Sequence, residues 1–407
     1  MLIKLAWRNL WRNKIRTGIM LGAMVFGLLG VVSIMGLMNG LMDSMLSNAI
    51  SWQTSHIQIH QRSYIDNPDL HALIPNSDSL KESIESKVGV KAVSSRFLVN
   101  GMIASARSTR GTRINGVNLH DEKAITPLSD HLTEGEWLSE EGRNPVLVSE
   151  KTAQRLKLRI GSKVVLTFSG ADNEVAGAAF RVRGIFKTPS SSFDDGNVYV
   201  RKSDLSKLAG LEGAHEIAIL LKDASKPTLE AMVQDFRKLV SSDVEVRGWQ
   251  KVQPLLASMQ GSMATSNTLI LGVFVIAMGF GIVNILLMSV FERTREFGVL
   301  MAVGMQKHRI FTLILLEATL LGALGALLGV LSSIALISTL HAFGLDLSIM
   351  SDALGAYGVD TMLYPRIQLA EYQLIVVTVV VASIVAALYP ARQILKKQPV
   401  QAMSEKH

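Results

Sequence analysis

Residues Glu292-Arg-Thr-Arg-Glu-Phe-Gly-Val-Leu-Met-Ala-Val-Gly-Met-Gln-Lys-His-Arg309 form a charged island between two long apolar segments, one ending at Phe291 and the next beginning at Ile310. Glu292, Arg293, Arg295 and Glu296 crowd its start, and Val299, Leu300 and Val303 follow at helical spacing. The pattern predicts a short amphipathic helix lying across the end of two spanning helices, with one face left over for another protein. Basic residues mark the cytoplasmic side of a membrane, so the expected partner is cytoplasmic.

Four segments of the chain, two of them flanking this island, are long enough to span, given that a helix needs roughly 20 apolar residues. They are 17–42, 252–291, 310–345 and 372–391; only the third carries a charge, Glu317. Lys4, Arg8, Arg12, Lys14 and Arg16 precede the first, and Arg392, Lys396 and Lys397 follow the last. Asp346, Asp352, Asp360 and Glu371 dominate the loop between the third and fourth. All four spans therefore satisfy one orientation, with both termini inside. The first apolar run is too long for a cleaved signal peptide and is expected to remain as a helix. The chain is 48% hydrophobic and 18% charged, against about 25% charge in a soluble domain. Its +7 net charge belongs to membrane flanks rather than to nucleic-acid binding, because no basic run is interleaved with aromatics. There is no cysteine, which excludes disulfides and thiolate metal sites.

About 220 residues between the first two spans are expected to fold outside the cytoplasm. Residues 52–61 alternate as a half-buried strand, with His56, Gln58 and His60 on the polar face. His56 and His60 would lie about 13 Å apart, too far to share a metal ion. A helix is expected over 76–87, and two or three strands over 90–117. Further on, 144–149, 163–168, 180–186, 197–200, 216–221 and 244–247 read as strands, and 150–158, 203–208 and 226–240 as helices. The second span is uncharged from 252 to 291, about 60 Å if helical, so it is expected to continue outward as a stalk. Pro254 and Gly261 mark where that stalk starts or bends.

No catalytic group is assignable. The chain lacks a Gly-Lys dipeptide, and therefore a phosphate loop, and it lacks the His-Glu-x-x-His and Gly-x-Ser-x-Gly motifs. Asn284 and Glu317 are the polar residues singled out within the spans. Glu317 would cost about 2.5–3.5 kcal/mol at the bilayer centre, but it lies roughly 12 Å past Arg309 along its helix. The expectation is a tie across helices rather than a proton carrier. Gly36 with Gly40, and Gly325 with Gly329, are small-x-x-x-small pairs suited to close packing within a bundle. Met35, Met38, Met42 and Met45 fall within about 80° of one helix face. Such a soft wall suits either packing against the second span or a cavity for acyl chains.

Residues 292–304 closely resemble the coupling motif Glu-Arg-x-x-Glu-(Ile/Phe)-Gly-x-x-x-Ala-x-Gly of the FtsX-like and MacB-like ABC permeases, through Glu292, Arg293, Glu296, Phe297, Gly298, Ala302 and Gly304. The resemblance extends to Asn9-Leu-Trp-Arg-Asn-Lys14, Ser55-His-Ile-Gln-Ile59, Leu156-Lys-Leu-Arg-Ile-Gly-Ser-Lys163, Phe180-Arg-Val-Arg-Gly-Ile-Phe186, Tyr389-Pro-Ala-Arg392 and Pro399-Val400. Its spacing most resembles the lipoprotein-releasing branch. The resemblance implies an integral membrane α-helical protein with four transmembrane helices and a large α+β extracytoplasmic domain. In that scheme 1–16 is a cytoplasmic segment, 17–45 the first span and 46–120 a porter-like part. A β-rich Sabre-like insertion follows over 121–212, the rest of the porter over 213–255, and the stalk with the second span over 256–291. The coupling helix is 292–309, the third span 310–343, an external loop 344–371, the fourth span 372–391 and a cytoplasmic tail 392–407. The family further implies a permease in a bacterial inner membrane, paired with a second copy or paralogue. It would work with two ATPase subunits that bind ATP and Mg, met through Glu292–Gly304 including Thr294 and Arg295, and with a periplasmic carrier or adaptor. It implies mechanical extraction of a lipidated cargo from the outer leaflet; efflux of periplasmic substrates and FtsX-like control of a cell-wall hydrolase are the alternatives. A two-part external region of this size argues against the last.

Overall fold

The computed structural model describes residues 2–62, 64–172 and 174–396; Lys397, Pro399 and Val400 lie outside them. The chain opens with α1 (Leu2–Arg12) and α2 (Lys14–Asn48), which passes directly into a π-helical turn over Ala49–Thr54. Ser55, with φ 55°, breaks that helix, and β1 (Ile57–Gln61) begins two residues later. Then come α3 (Ser77–Glu85), β2 (Val90–Ala104), β3 (Thr109–Val117), α4 (Leu119–Ile125) and the short strand β4 (Leu132–Gly135). Next are β5 (Pro145–Ser149), α5 (Glu150–Leu156), β6 (Lys163–Ser169), β7 (Val175–Phe186), α6 (Ser191–Gly196), β8 (Asn197–Arg201) and α7 (Lys202–Ala209). The region closes with β9 (Glu216–Leu221), α8 (Lys226–Arg237), β10 (Val244–Gly248) and α9 (Trp249–Val252). Long helices return with α10 (Pro254–Glu292), the short α11 (Thr294–Ala302), and α12 (Lys307–Phe343). Between α12 and the last helix lie β11 (Leu345–Asp346), α13 (Ser351–Ala356) and β12 (Met362–Leu363); α14 (Leu369–Lys396) follows.

Two compact units result: Met1–Leu41 with Gly261–Asp346 and Met362–His407, and Met42–Gln260 with Leu347–Thr361. In the second unit ten strands make one sheet, ordered β10-β1-β9-β2-β3-β8-β5-β7-β4, with β6 pairing β2 and β7. Strands from 121–212 join those on either side directly. β3 runs parallel to β8 from Arg113↔Asn197 to Val117↔Arg201, and β2 meets β6 at Met102↔Thr167. Local chemistry sets the element starts: the Asn118 side chain accepts from the backbone N–H groups of His120 and Asp121, and Ser149 from that of Thr152, relieving helix-end donors. Phe97, Ile114, Val146, Leu166, Phe180 and Val200 fill one core, each such side chain contributing about 1.5–3 kcal/mol by leaving water.

Residues 52–61 depart from the alternating strand expected of them. Trp52–Thr54 are π-helical; β1 is paired on both edges, by β10 and β9, and successive residues of it are buried, so both its faces are covered. His60 is therefore buried, bonded to the His215 carbonyl and the Gln58 side chain.

The first unit is a helical bundle, and among the described residues four helices are long and apolar enough to cross a membrane. α10 runs 39 residues without a break at Gly261, about 58 Å. Glycines allow close approach here, as the pair spacing suggested. A Cβ at Gly325 would come to 2.5 Å from Met24 Cε, one at Gly329 to 2.5 Å from Leu28 Cδ1, and one at Gly36 to 2.8 Å from Ile337 Cδ1.

Candidate functional site: the buttressed link helix

α11, nine residues long or about two and a half turns, is amphipathic because its inward residues have somewhere to go. Phe297 is 1% exposed and packs with Val290, Ile310, Ile314 and Ala391. The Thr294 hydroxyl donates to the Val290 carbonyl at 3.1 Å, and Gly298 is buried. Gly304 ends the motif at φ +99°, a left-handed conformation that favours glycine. The Met305 N–H then closes on the Leu300 carbonyl at 2.9 Å.

Charge pins the helix on its other sides. The Arg293 guanidinium donates from Nη1 to both carboxylate oxygens of Glu317, at 3.0 and 3.1 Å, and from Nε to Glu296 Oε2 at 3.2 Å. It also lies 5.1 Å from the centre of the Phe297 ring. Asn9, on α1, donates to Glu317 Oε1 at 2.6 Å. Arg12 grips Glu296 with two bonds of 3.0 and 2.9 Å, and Arg16 bonds Glu292 at 2.9 Å and Ser289 at 2.8 Å. Partial burial works to raise the Glu296 carboxyl, but bonds from Arg12 and Arg293 outweigh it and hold the group below its usual value.

These ties divide the sequence motif in two. Arg293, grouped with Arg295 as a docking residue, points inward: its side chain is 9% exposed, and contact with a partner would require leaving Glu317. Arg295, Val299, Ala302, Val303 and Gly304 are exposed, and Arg295 has no ion pair among the described residues. Sequence reasoning read 1–16 as a basic flank with a stretch of family resemblance at Asn9–Lys14, and did not connect Asn9, Arg12 or Arg16 to the link helix. The signal was there: Lys4, Arg8 and Arg12 repeat every fourth residue, as do Ile3, Trp7 and Trp11, which stay exposed.

The methionines do not form one continuous wall. Met35 is 1% exposed and packs with Leu28, Val330, Ile375 and Val379. Met42 is also buried, Met45 half-buried, and Met38 alone of the four is exposed, at 43%. The 35/42 edge of the arc turns inward while the 38/45 edge, about 60° round the helix, does not. Asn284 lies exposed on α10. A further polar knot escaped sequence reading: Asn39 and Asn267 both donate to Glu371, at 3.0 and 2.9 Å, joining α2, α10 and α14. The Asn267 Oδ1 atom is buried without a partner.

Residues 17–238 match the family model of the MacB-like periplasmic core domain, more than half of the chain, and residues 268–399 match that of the FtsX-like permease C-terminal region. The chain belongs to the FtsX/MacB-type ABC transporter permeases. The permease is 22% identical over 391 residues to the lipoprotein-releasing system transmembrane protein LolC of Neisseria meningitidis, covering 93% of this chain and 91% of that one. It is 26% identical over 328 residues to the macrolide export ATP-binding/permease protein MacB of Acinetobacter baylyi, covering 77% of this chain but 48% of that protein. The permease thus spans about half the length of that relative. The periplasmic region of MacB from Actinobacillus actinomycetemcomitans aligns with 52% of this chain and 97% of its own, at 14% identity and a TM-score of 0.38.

Proposed function

We propose that this permease converts ATP hydrolysis on a separate cytoplasmic ATPase into movement of its extracytoplasmic unit, and so extracts a hydrophobic or lipid-bearing cargo from the outer leaflet of a bacterial inner membrane. One observation carries the reading. α11 is anchored through Arg293 and Phe297 yet leaves Arg295, Val299, Ala302 and Val303 exposed as one face. A rigidly held helix with one free amphipathic face passes on a push rather than absorbing it. The basic flanks support a cytoplasmic position for that face and for both ends of the helical region. LolC, whose name describes a transmembrane protein, matches over nearly its whole length, which supports reading this chain as the transmembrane part with the nucleotide sites outside it. A second permease copy would cover the exposed apolar face of α10, where Leu269, Val273, Ile276 and Phe280 surround the approach to Asn284; an amide facing lipid gains by finding a partner across helices.

The test is reconstitution of the permease with its ATPase in lipid discs. Arg295→Glu combined with Val303→Asp removes the stimulation of ATP hydrolysis while leaving folding and insertion intact. Stimulation equal to wild type refutes the docking face. A photo-crosslinker at Met38 traps lipidated cargo without nucleotide and releases it after ATP binding; capture of the permease's own helices in both states refutes the cargo assignment.

A further inference from the structure

The sheet unit holds a polar cavity of about 190 Å³ that the permease reading leaves unused. Its floor is Arg96, on β2, which is 5% exposed. Arg96 bonds both oxygens of Glu122, at 3.0 and 2.7 Å, and Glu216 Oε1 at 2.7 Å. Arg113, on β3, has its side chain 43% exposed; it lies within bonding reach of the Tyr64 hydroxyl and reaches Glu216 Oε2 at 3.8 Å, beyond hydrogen-bond range. Two arginines thus face two glutamates, and the cluster is neutral as it stands.

Its donors are not used up. Trp52 and Tyr199 line the cavity and are 4% and 3% exposed. Neither the indole N–H nor the phenol hydroxyl hydrogen-bonds to any other side chain or backbone group among the described residues. Burial pushes the Tyr199 hydroxyl well above its usual range, which keeps it protonated and able to donate. Both donors open onto the cavity rather than being sealed in the core, and together with the exposed Arg113 guanidinium they offer several donors to an acceptor placed there.

We propose that this cavity binds a small monocarboxylate, held by Arg113 with Trp52 and Tyr199 donating to its oxygens. A monocarboxylate leaves the neutral cluster at −1, whereas a phosphate group, at about −1.5 to −2, sets more negative charge beside Glu216 and Glu122. The volume and the polar lining, including Asn115, favour a short hydroxy acid over a fatty chain. Trp52 belongs to the π-helical turn that continues α2, so the ligand contacts the root of the first long helix; π turns recur at functional sites.

Calorimetry of the full-length permease in lipid discs, titrated separately with sodium lactate, acetate and phosphate against a chloride blank of equal ionic strength, tests this. Lactate and acetate bind saturably and phosphate more weakly. Arg113→Gln weakens lactate binding about 10- to 100-fold and Tyr199→Phe about 2- to 10-fold, the losses expected for a charged and a neutral hydrogen bond. Arg113 is half exposed and Tyr199→Phe deletes one hydroxyl, so both variants keep the wild-type melting transition, which is checked alongside. Absence of saturable binding by either carboxylate, phosphate binding tighter than both, or equal lactate affinity in the well-folded variants overturns the proposal.

Discussion

Replacing Arg293 by methionine keeps most of its volume and removes its charge. Glu317, 12% exposed, is then left with Asn9 as its bonded neighbour. Stripping one partner from a buried ion pair costs about 3–5 kcal/mol, mostly the burden of the abandoned charge, whereas replacing both by apolar groups is often neutral. Arg293→Met alone should therefore lose about 3–5 kcal/mol, and Arg293→Met with Glu317→Leu should return to within about 1 kcal/mol of wild type. Arg12→Ala is the internal comparison: its pair with Glu296 is about half exposed on both sides and such pairs are worth about 0.2–1 kcal/mol. Unfolding by denaturing detergent in mixed micelles, followed by far-UV circular dichroism, gives the differences. A loss under about 1 kcal/mol for Arg293→Met, or a double variant no better than the single, refutes the claim that α11 is anchored by a buried pair.

Gly329→Leu drives a side chain into Leu28 and should cost about 1–3 kcal/mol in the same assay, while Gly18→Ala, inside α2 with nothing within 4 Å of its Cβ position, should be unchanged or up to about 1 kcal/mol more stable. His215 accepts from the Leu98 N–H through Nδ1 and donates to the Leu70 carbonyl through Nε2, so it fits only as the neutral ring, and burial lowers its pKa to about 4. Its contribution to stability is complete above pH 6.5 and is lost as pH falls through about 4. Asp194, raised to about 6 by burial, runs the other way: its contribution is complete below pH 3.8 and lost as pH rises through about 6. Asp194→Asn should therefore steepen the fall of the thermal midpoint between pH 6.5 and 4, and an unchanged slope would contradict these assignments.

The spanning helices were legible because length and charge act locally: an apolar run must be about 20 residues to cross, and basic flanks stop it. The link helix was legible because its glycines and apolar spacing are local too. Most strands from Val90 to Gly248 also appear where period-2 runs place them. The polar ties were not legible. Arg16 meets Glu292 across 276 positions and Asn39 meets Glu371 across 332, and no periodicity connects residues so far apart. Arg293 shows the same limit from the other side. Its charge reads as surface, and only the helix that brings Glu317 beneath it turns it inward. The strand expected at Trp52 failed because tertiary packing overrides local alternation.

The knot of Asn39, Asn267 and Glu371 bears on how the chain is made. Synthesis runs from the N-terminus, so α2 and α10 enter the bilayer carrying amides whose acceptor has not yet been translated. Glu371 follows Asn267 by 104 residues. For that interval the two amides have at best each other, through the 3.0 Å bond from Asn267 to Asn39. Glu317 waits for nothing, because Asn9 and Arg293 both precede it. Biogenesis therefore has an order written into it: the α1, α11 and α12 end can set as α12 emerges, and the bundle locks at its other polar tie only when the last helix arrives.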